Sequence, residues 1–416
     1  MATRDLYDFG ESPPLGHVPR RMHAATIRQS RYGDPGGAYG FEVVDVPPMG
    51  PRQVTLQVMA SGINYNGVWA ALGTPIDVIA MRQKQGAPED FHIAGSEAAG
   101  VVWAVGSEVR DLKPGDAIVV SGMQWDEHAA DIRLGGDPIA SPSASVWGYE
   151  DNYGCFAQFT VVDDYQCHPK PPDLSWEAAA CYMQNGATAY RQLFGWPPNT
   201  VKPGDPVLIW GGAGGLGSMA IQLTRHFGGI PIAVVSDDAK RDFCLALGAR
   251  GVINRHEFDH WGRLPDWKDS DTFERWARGA RAFGKKIWEV VGERRNPAIV
   301  FEHAGQDTMP TSIFVCASSG MVVVCGGTSG YNADVDLRYL WMRMKRLQGS
   351  HFANTAQCAA VNRLVTEGFI DPCLSRVFPF AEIGKAHQIM FRNEHPPGNM
   401  AVLVNAPREG MKGSPV

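Results

Sequence analysis

A segment near the middle of the chain reads Val207-Leu208-Ile209-Trp210-Gly211-Gly212-Ala213-Gly214-Gly215-Leu216-Gly217. Its first four residues are apolar and predict a buried strand, and apolar residues then recur from Leu216 to Phe227 at the spacing of a helix face. The G-x-G-x-x-G motif between them allows a tight turn and a close backbone approach, and the helix N-terminus attracts a pyrophosphate. We therefore predict a dinucleotide site, in preference to a glycine turn without a ligand. Its predicted contacts are Gly212, Gly214, Gly215, Leu216 and Gly217.

The chain after this motif continues the alternation of strand and helix. Short apolar runs at 232–235, 251–253, 298–301 and 321–325 predict further strands of one parallel sheet. The polar, tryptophan-bearing residues 255–281 interrupt the pattern, and we interpret them as a surface insertion.

The end of the second predicted strand indicates which nucleotide binds. Sites specific for NAD place Asp or Glu there to hold the ribose hydroxyls, whereas this chain has Ser236, with Lys240 and Arg241 about one turn further on. Two cations beside a small hydroxyl suit a 2′-phosphate, so we predict NADPH as the cofactor. The alternative is that both cations lie on a solvated helix face and that Asp237 binds the ribose.

The first half of the chain is rich in predicted strands. Apolar runs at 22–27, 41–46, 54–59, 98–105, 117–120 and 156–162 are separated by Gly and Pro, and Lys-Pro-Gly-Asp turns at 113–116 and 202–205 each precede a strand. The tail from about Gly349 is predicted to rejoin this part. We therefore expect an α/β protein with one domain at 1–190 and 349–416 and a Rossmann-type, parallel-sheet domain at 191–348.

Composition excludes several classes of protein. A chain of 416 residues fits two domains, and a formal net charge of -6 argues against a nucleic-acid partner. The 8 cysteines are scattered without a C-x-x-C pair, as is typical of free thiols in a reducing compartment. The N-terminal residues lack the apolar run of a targeting peptide, and no run approaches the roughly 20 apolar residues that span a bilayer. We therefore expect no membrane association and a cytoplasmic location.

Two segments of the first half resemble the medium-chain dehydrogenase/reductase superfamily: Gly62-Ile63-Asn64-Tyr65-Asn66 and Gly95-Ser96-Glu97-Ala98-Ala99-Gly100-Val101-Val102. The resemblance implies a β-rich, GroES-like catalytic domain beside the Rossmann-type domain. Zinc-dependent alcohol dehydrogenases of the superfamily carry a Cys and a His at the positions that look like Asn64 and Ser96. Amide and hydroxyl groups are poor zinc ligands, so we predict no metal.

Four further segments are similar to the crotonyl-CoA carboxylase/reductase family. They are Asn64-Tyr65-Asn66-Gly67-Val68-Trp69, Val146-Trp147-Gly148-Tyr149-Glu150, Tyr339-Leu340-Trp341 and Gly349-Ser350-His351-Phe352-Ala353-Asn354. The resemblance implies transfer of a hydride from NADPH to the β-carbon of an enoyl-CoA, followed by attack of the enolate on CO2. Crotonyl-CoA, giving ethylmalonyl-CoA, is the default substrate, the acyl-chain length stays open, and a homotetramer is implied.

The same resemblance places a CO2 pocket on Asn66, Tyr149, Glu150 and His351, although many members have Phe where Tyr149 stands. An amide and an imidazole are well-aimed donors for a molecule without charge or dipole, and a carboxylate that fixes a water beside an aromatic wall would protect the enolate from protonation. Each residue also has a structural interpretation. Asn66 would be the N-cap of a helix that starts near Val68, Glu150 a surface acid, and His351 a satisfied core histidine.

The resemblance also places Arg338 and Tyr339 near the adenine end of CoA. For the neighbouring cations Arg343, Lys345 and Arg346, phosphate contacts and a solvated basic helix remain alternatives. Two other functions stay open: an enoyl-thioester or quinone reductase that does not carboxylate, and an NADPH-binding sensor without turnover.

Overall fold

The computed structural model describes residues 3–413. Residues 1–2 and 414–416 lie outside it. The first two of these belong to the N-terminal segment that is predicted to lack a targeting peptide. Of the described residues, unit 1 takes those within Met1–Gln184, Ala353–Gly368 and Pro372–Val416, and unit 2 takes Asn185–Phe352 and Phe369–Asp371. The domain boundaries expected from the sequence, after 190 and after 348, stay a prediction.

The strands, in chain order, are β1 (Arg21–Arg28), β2 (Tyr39–Asp45), β3 (Gln53–Gly62), β4 (Phe91–Ile93), β5 (Ala98–Val105), β6 (Ala117–Val120), β7 (Met123–Gln124), β8 (Ser145–Val146), β9 (Phe159–Asp163), β10 (Cys167–Pro169), β11 (Pro206–Ile209), β12 (Ile230–Val235), β13 (Gly251–Asn254), β14 (Ile299–Glu302), β15 (Met321–Val324), β16 (Arg346–Gly349), β17 (Leu374–Pro379) and β18 (Asn399–Leu403).

The α-helices are α1 (Pro35–Ala38), α2 (Tyr65–Leu72), α3 (Val78–Lys84), α4 (Ala130–Arg133), α5 (Trp176–Ala179), α6 (Met183–Phe194), α7 (Gly215–His226), α8 (Arg241–Ala246), α9 (Ser270–Val291), α10 (Met309–Val315), α11 (Leu337–Trp341), α12 (Thr355–Thr366) and α13 (Ile383–Phe391). Short 3-10 turns lie at Gln29–Arg31, Pro138–Ala140, Asp164–Gln166, Asp238–Lys240, Arg255–Glu257 and Phe380–Glu382.

Unit 1 is built on sheets whose strands pair antiparallel, except for the parallel pair of β17 and β18. Its largest sheet has the order β10-β6-β5-β3-β18-β17, with β9 also pairing with β3, and a second sheet has the order β2-β1-β4. Strand β3 is buried from Val54 to Gly62 because it has strands on both edges and chain over both faces. The turn before β6 is closed by Asp116, whose carboxylate accepts from the N–H of Lys113 at 2.9 Å.

Unit 2 is a six-stranded parallel sheet with the order β13-β12-β11-β14-β15-β16. The central strand β11 pairs with β12 on one side and β14 on the other, so the strand order reverses at its carboxyl end. In open parallel sheets this reversal is where a nucleotide binds. The predicted strands of this sheet are confirmed, each within two residues of its expected bounds.

The interpretation of residues 255–281 as a surface insertion is wrong for their second half. Residues from Ser270 onward form the first turns of α9, the helix that connects β13 to β14. Its apolar stripe buries Trp276, Ala280 and Phe283. Such a crossover helix must cover the sheet because parallel strands expose two apolar faces.

The basic helix considered for Arg343, Lys345 and Arg346 is also absent from the described residues. Helix α11 ends at Trp341, and Arg346 opens the edge strand β16. The ammonium of Lys345 donates to the carbonyls of Ile313 at 2.6 Å and Phe314 at 3.1 Å, so it caps the last turn of α10. Lys345 therefore stabilises the carboxyl end of α10.

Candidate active site

The glycine loop between β11 and α7 is shaped by one left-handed glycine and two close contacts. Gly211 has φ +58°, which is the left-handed region that favours glycine. A Cβ at Gly217 would lie 2.2 Å from the carbonyl oxygen of Gly211, and one at Gly212 would lie 2.7 Å from the Cβ of Ala233. The sequence motif therefore missed Gly211, the glycine that the turn requires, because it precedes the G-x-G-x-x-G frame.

The loop leads into a helix start whose backbone N–H groups are available to a ligand. Helix α7 begins at Gly215 with Gly214 as its N-cap residue, so the N–H groups of its first turn have no partner within the helix. Gly214, Gly215 and Leu216 are partly exposed. A pyrophosphate fits here because both the N–H groups and the helix dipole favour an anion.

The carboxyl end of β12 offers a hydroxyl and an ammonium. Ser236 follows the strand directly, and the Nζ of Lys240 lies 3.4 Å from its Oγ. Asp237 is occupied locally, since its carboxylate accepts from the N–H of Ala239 at 2.9 Å. Arg241 donates to the carbonyl of Val252 and to Asp238, both at 2.9 Å. Of the predicted phosphate contacts, Ser236 and Lys240 are thus together, while Arg241 is already bound to protein groups.

A Glu-His pair at the end of β14 contacts the residue before the glycine loop, and this pair was not predicted from the sequence. The buried carboxylate of Glu302 accepts hydrogen bonds from the N–H of Ala304 at 2.8 Å and the hydroxyls of Thr308 at 2.9 Å and Ser312 at 2.7 Å. His303 donates through Nε2 to the carbonyl of Trp210 at 3.0 Å, and burial lowers its pKa. The only sequence signal was two polar residues directly after a predicted strand.

Asn66 lies inside helix α2, one residue after its start, and is 8% exposed. The N-cap residue is Asn64, so the interpretation of Asn66 as an N-cap is wrong. Within residues 3–413 the amide Nδ2 of Asn66 has no hydrogen-bond partner. Leaving a buried donor unpaired costs about 1–3 kcal/mol, so such a group marks a place where a ligand is expected.

The loop after β8 carries Tyr149 and Glu150. Gly148 has φ +67°, and a Cβ there would lie 2.1 Å from the carbonyl of Gly95, so this turn requires glycine. The ring of Tyr149 is 7% exposed and lies 6.2 Å from the ring of Trp69, on the same helix as Asn66. Glu150 is half-buried, and its Oε2 accepts from the N–H of Val146 at 2.8 Å. Asn66, Tyr149 and Glu150 therefore belong to neighbouring elements of unit 1.

His351 belongs to unit 2, two residues beyond β16. It is exposed, and its ring meets that of Phe352 edge-on at 5.0 Å. The interpretation as a core histidine is therefore wrong.

Arg338 and Tyr339 lie on α11 of unit 2. The guanidinium of Arg338 forms a bidentate pair with Asp336 at 3.0 and 2.7 Å and lies over the rings of Trp267 and Phe273, at 5.8 and 5.2 Å from their centres. The ring of Tyr339 packs edge-on against Phe314 at 4.9 Å. Part of the segment 255–281 thus supports the predicted CoA residue, which the sequence did not indicate.

The positions expected to hold zinc in other dehydrogenases are occupied by a different contact. The Nδ2 of Asn64 donates to the Oε2 of Glu97 at 2.8 Å, and both side chains are buried. The Oγ of Ser96 is buried without a partner in the described part of the chain, and residues 3–413 hold no cluster of three or more His, Cys, Asp or Glu that fits a metal. An amide whose N–H group points at the nearby carboxylate does not fit a zinc ion.

Family models and known proteins match most of this chain. The family model "Alcohol dehydrogenase GroES-like domain" matches residues 50–172, and the model "Zinc-binding dehydrogenase" matches residues 215–367. A crotonyl-CoA carboxylase/reductase of Cereibacter sphaeroides is 51% identical over 98% of this chain and 94% of its own length. The chain belongs to the crotonyl-CoA carboxylase/reductase family.

Solved structures of the crotonyl-CoA carboxylase/reductase family share the fold. The crotonyl-CoA carboxylase/reductase AntE in complex with NADP is 65% identical, with a TM-score of 0.95 over 98% of this chain and 100% of that one. The 2-octenoyl-CoA carboxylase reductase CinF in complex with NADP and 2-octenoyl-CoA is 37% identical, with a TM-score of 0.86 over 96% and 91%. The predicted fold, a GroES-like domain with a Rossmann-type domain, is thus confirmed.

The described residues contain no helix long and apolar enough to cross a membrane.

Proposed function

We propose that the protein catalyses the NADPH-dependent reductive carboxylation of an enoyl-CoA. By default, crotonyl-CoA, CO2 and NADPH give ethylmalonyl-CoA and NADP+. Within the family that the chain belongs to, the observation that carries this function is the buried Nδ2 of Asn66, which has no hydrogen-bond partner among residues 3–413. Asn66 shares helix α2 with Trp69, whose ring lies 6.2 Å from that of Tyr149. A buried donor without a protein partner suits a small neutral substrate such as CO2.

NADPH, when bound, supplies the hydride to the β-carbon of the substrate. The chain contributes N–H groups at the start of α7 for the pyrophosphate and the pair of Ser236 and Lys240 for the 2′-phosphate. This arrangement supports NADPH over NADH because the residue directly after β12 is Ser236 and not a carboxylate, and the ammonium of Lys240 lies beside its hydroxyl.

The enolate left after hydride transfer must meet CO2 before it meets a proton. We assign Asn66 and His351 as donors that hold CO2 and Tyr149 as the aromatic wall that keeps water out. Glu150 uses Oε2 for the N–H of Val146, and within the described residues its Oε1 accepts no hydrogen bond. This second oxygen suits an ordered water, which would be held away from the enolate.

We assign Arg338 and Tyr339 to the CoA moiety. The guanidinium of Arg338 is 43% exposed although it is paired with Asp336. A CoA phosphate would therefore compete with the carboxylate of Asp336 for the same planar donors. Arg338 would be expected to contribute less to CoA affinity than an unpaired arginine.

We further propose a homotetramer. The edge strand β16, α11 and the residues between them expose large apolar side chains, and exposed apolar patches are typical of protein–protein interfaces. These side chains are Leu337, Trp341, Met342, Met344 and Leu347, which are between 40% and 72% exposed. The cytoplasmic location expected from the sequence stays a prediction.

One assay tests the function. Oxidation of NADPH is followed with crotonyl-CoA, with and without saturating bicarbonate as the source of CO2, and the product mass is determined. We expect ethylmalonyl-CoA to dominate with bicarbonate and butyryl-CoA without it. If only butyryl-CoA forms under both conditions, the protein is a reductase that does not carboxylate.

A further inference from the structure

Asn66 is buried, and its Nδ2 has no hydrogen-bond partner among residues 3–413, so no bond to this nitrogen fixes the direction of the amide. Its position depends on how helix α2, which carries it, is held in unit 1. A misplacement of about 1 Å in an active site can cost on the order of 100-fold in rate. The contacts that hold the backbone of α2 therefore matter for any ligand of this amide.

The first of these contacts lies at the start of α2. Asn64 is the N-cap residue, yet its side chain makes no capping hydrogen bond. An N-cap amide normally accepts from an N–H group in the first turn of its own helix. Asn64 instead donates through Nδ2 to the Oε2 of Glu97 at 2.8 Å. The helix start is thus attached to the segment that leads into β5.

Glu97 is itself held on its other side. Its Oε1 accepts from the N–H of Gln184 at 2.9 Å, in the first turn of α6. The side chain is 1% exposed, and burial raises its pKa to about 7. A carboxylate at the start of a helix is favoured by the helix dipole. Glu97 is therefore a fixed acceptor between α6 and Asn64.

The second contact lies in the first turn of α2, at Gly67. The hydroxyl of Tyr39 donates to the carbonyl of Gly67 at 2.9 Å. A Cβ at Gly67 would lie 2.2 Å from Nε2 of His387, and the rings of Tyr39 and His387 are stacked at 4.8 Å. The residue after Asn66 is therefore pressed against a ring pair and held by a hydrogen bond.

We propose that Glu97 is a positioning residue for carboxylation, which acts through Asn64 to fix helix α2 and so aims the amide of Asn66 at CO2. Tyr39 fixes the same helix through the carbonyl of Gly67. This inference rests on the proposed function. Hydride transfer does not require the amide of Asn66, so the positioning contact affects how the enolate is partitioned between CO2 and a proton.

The test reverses the polarity of the contact without removing it. In Glu97→Gln the new amide has one oxygen, and when that oxygen accepts from the N–H of Gln184, its NH2 faces the NH2 of Asn64. If the Asn64 amide turns over to present Oδ1, the charge-assisted hydrogen bond is still replaced by a weaker neutral one. In Asn64→Asp two carboxylates oppose each other. The double variant Asn64→Asp/Glu97→Gln restores one donor and one acceptor at the same distance and keeps the charge of the unmodified pair.

The measured quantity is the ratio of ethylmalonyl-CoA to butyryl-CoA under saturating bicarbonate, together with NADPH oxidation. We expect Glu97→Gln to lower the ratio about tenfold or more while NADPH oxidation continues. This change corresponds to about 1.4 kcal/mol in the difference between the two barriers. The double variant should recover the ratio to within about threefold of the unmodified enzyme. The control Glu177→Gln changes another buried carboxylate of unit 1, whose Oε1 accepts from the N–H of Gly410, and should leave the ratio unchanged.

Tyr39→Phe provides a second variant if Glu97→Gln does not fold, since it removes one hydroxyl and retains the ring stack. We expect it to lower the ratio at least about threefold. The inference is overturned if the product ratio is unchanged in Glu97→Gln. If that variant does not fold, an unchanged ratio in Tyr39→Phe overturns it. A double variant whose ratio stays low also overturns it. A proportional loss of both products also overturns it. If the unmodified enzyme makes only butyryl-CoA, the proposed function itself has failed and the inference falls with it.

Discussion

The ammonium of Lys240 lies 3.4 Å from the hydroxyl of Ser236 at the carboxyl end of β12. In the described part of the chain this is the only hydrogen bond of the Lys240 side chain, whereas the guanidinium of Arg241 is bound to Asp238 and to the carbonyl of Val252. The sequence predicts both Lys240 and Arg241 as phosphate ligands, but only Lys240 has a side chain that is not already bound to a carboxylate and a carbonyl. A 2′-phosphate would be bound by Lys240 first.

We expect kcat/KM to be at least about tenfold higher with NADPH than with NADH, and Lys240→Ala to narrow that gap more than Arg241→Ala. A hydrogen bond to a charged group contributes about 1.5–3 kcal/mol, so Lys240→Ala should cost about tenfold or more with NADPH. Steady-state kinetics with both cofactors measures this. Arg250→Ala is the control, because Arg250 is exposed at the amino end of β13. Equal kcat/KM for both cofactors in the unmodified enzyme would contradict the assignment.

The two glycines Gly214 and Gly217 should respond differently to alanine. A Cβ at Gly217 meets the carbonyl of Gly211 at 2.2 Å, so Gly217→Ala should lower the free energy of unfolding by about 1–3 kcal/mol or more. At Gly214 the nearest atom is 3.4 Å away, so stability should be retained while the methyl group blocks the pyrophosphate and raises KM for NADPH. Urea unfolding and cofactor titration measure both. Loss of stability in both variants would refute the distinction.

Removal of metal should not affect turnover. Asn64 donates to Glu97 at the position where zinc enzymes have a ligand, and Ser96 supplies a hydroxyl instead of an imidazole. We expect activity to be unchanged after long dialysis against a strong chelator, with a zinc-dependent alcohol dehydrogenase treated in parallel as the control. Stoichiometric zinc that is lost together with activity would show that a metal takes part.

His260 should make unit 2 sensitive to acid. Burial lowers its pKa to about 4, and both ring nitrogens lack partners within residues 3–413. The unfolded chain takes up this proton near pH 6.5, so the unfolded state binds more protons between about pH 6.5 and 4 and the free energy of unfolding falls as the pH decreases through that window.

His260→Phe should remove on the order of 1–3 kcal/mol of this loss. Urea unfolding at pH 7, 6 and 5 measures the difference in slope. His256→Phe is the control because His256 is exposed. The same pH slope in His260→Phe and in the unmodified protein would rule out the assignment.

Asn66→Leu and His351→Asn should each give mainly saturated acyl-CoA under saturating bicarbonate, with NADPH oxidation still measurable. Each variant removes or displaces a donor for CO2 and leaves the nicotinamide and thioester contacts in place. A change of about 1.4 kcal/mol between the two barriers alters the product ratio about tenfold. Asn332→Leu, at an exposed amide, is the control. A proportional loss of both products would assign these residues to binding or folding instead.

The sequence predicted those strands whose residues alternate or are apolar throughout. It identified β5 and β6 with their observed bounds, because burial from both sides leaves a continuous apolar run. It missed β16, whose Arg346-Leu347-Gln348-Gly349 is short, half exposed and at the sheet edge. It also divided α9, because the predicted insertion ended at residue 281 and separated Trp276 and Ala280 from the rest of the same helical stripe.

Only those parts of the candidate site that are formed by residues close in sequence could be predicted. The glycine loop and the end of β12 follow from residues close in sequence. The contact between Asn64 and Glu97 joins residues 33 positions apart, and the one between Glu97 and Gln184 spans 87. Such contacts depend on how the sheets pack, and a single sequence carries no signal for them.

The contact between Asn64 and Glu97 limits how a metalloenzyme could be engineered from this chain. Substituting Asn64→Cys and Ser96→His would return two ligand types to their positions, but it would also remove the hydrogen bond from the side chain of Asn64 to Glu97, which holds the start of α2. The substitution would release Oε2 of Glu97, but Oε1 would still accept from the N–H of Gln184 in α6, so this carboxylate could offer a metal one oxygen only. Retrofitting zinc would therefore require a new anchor for α2 before any ligand is installed.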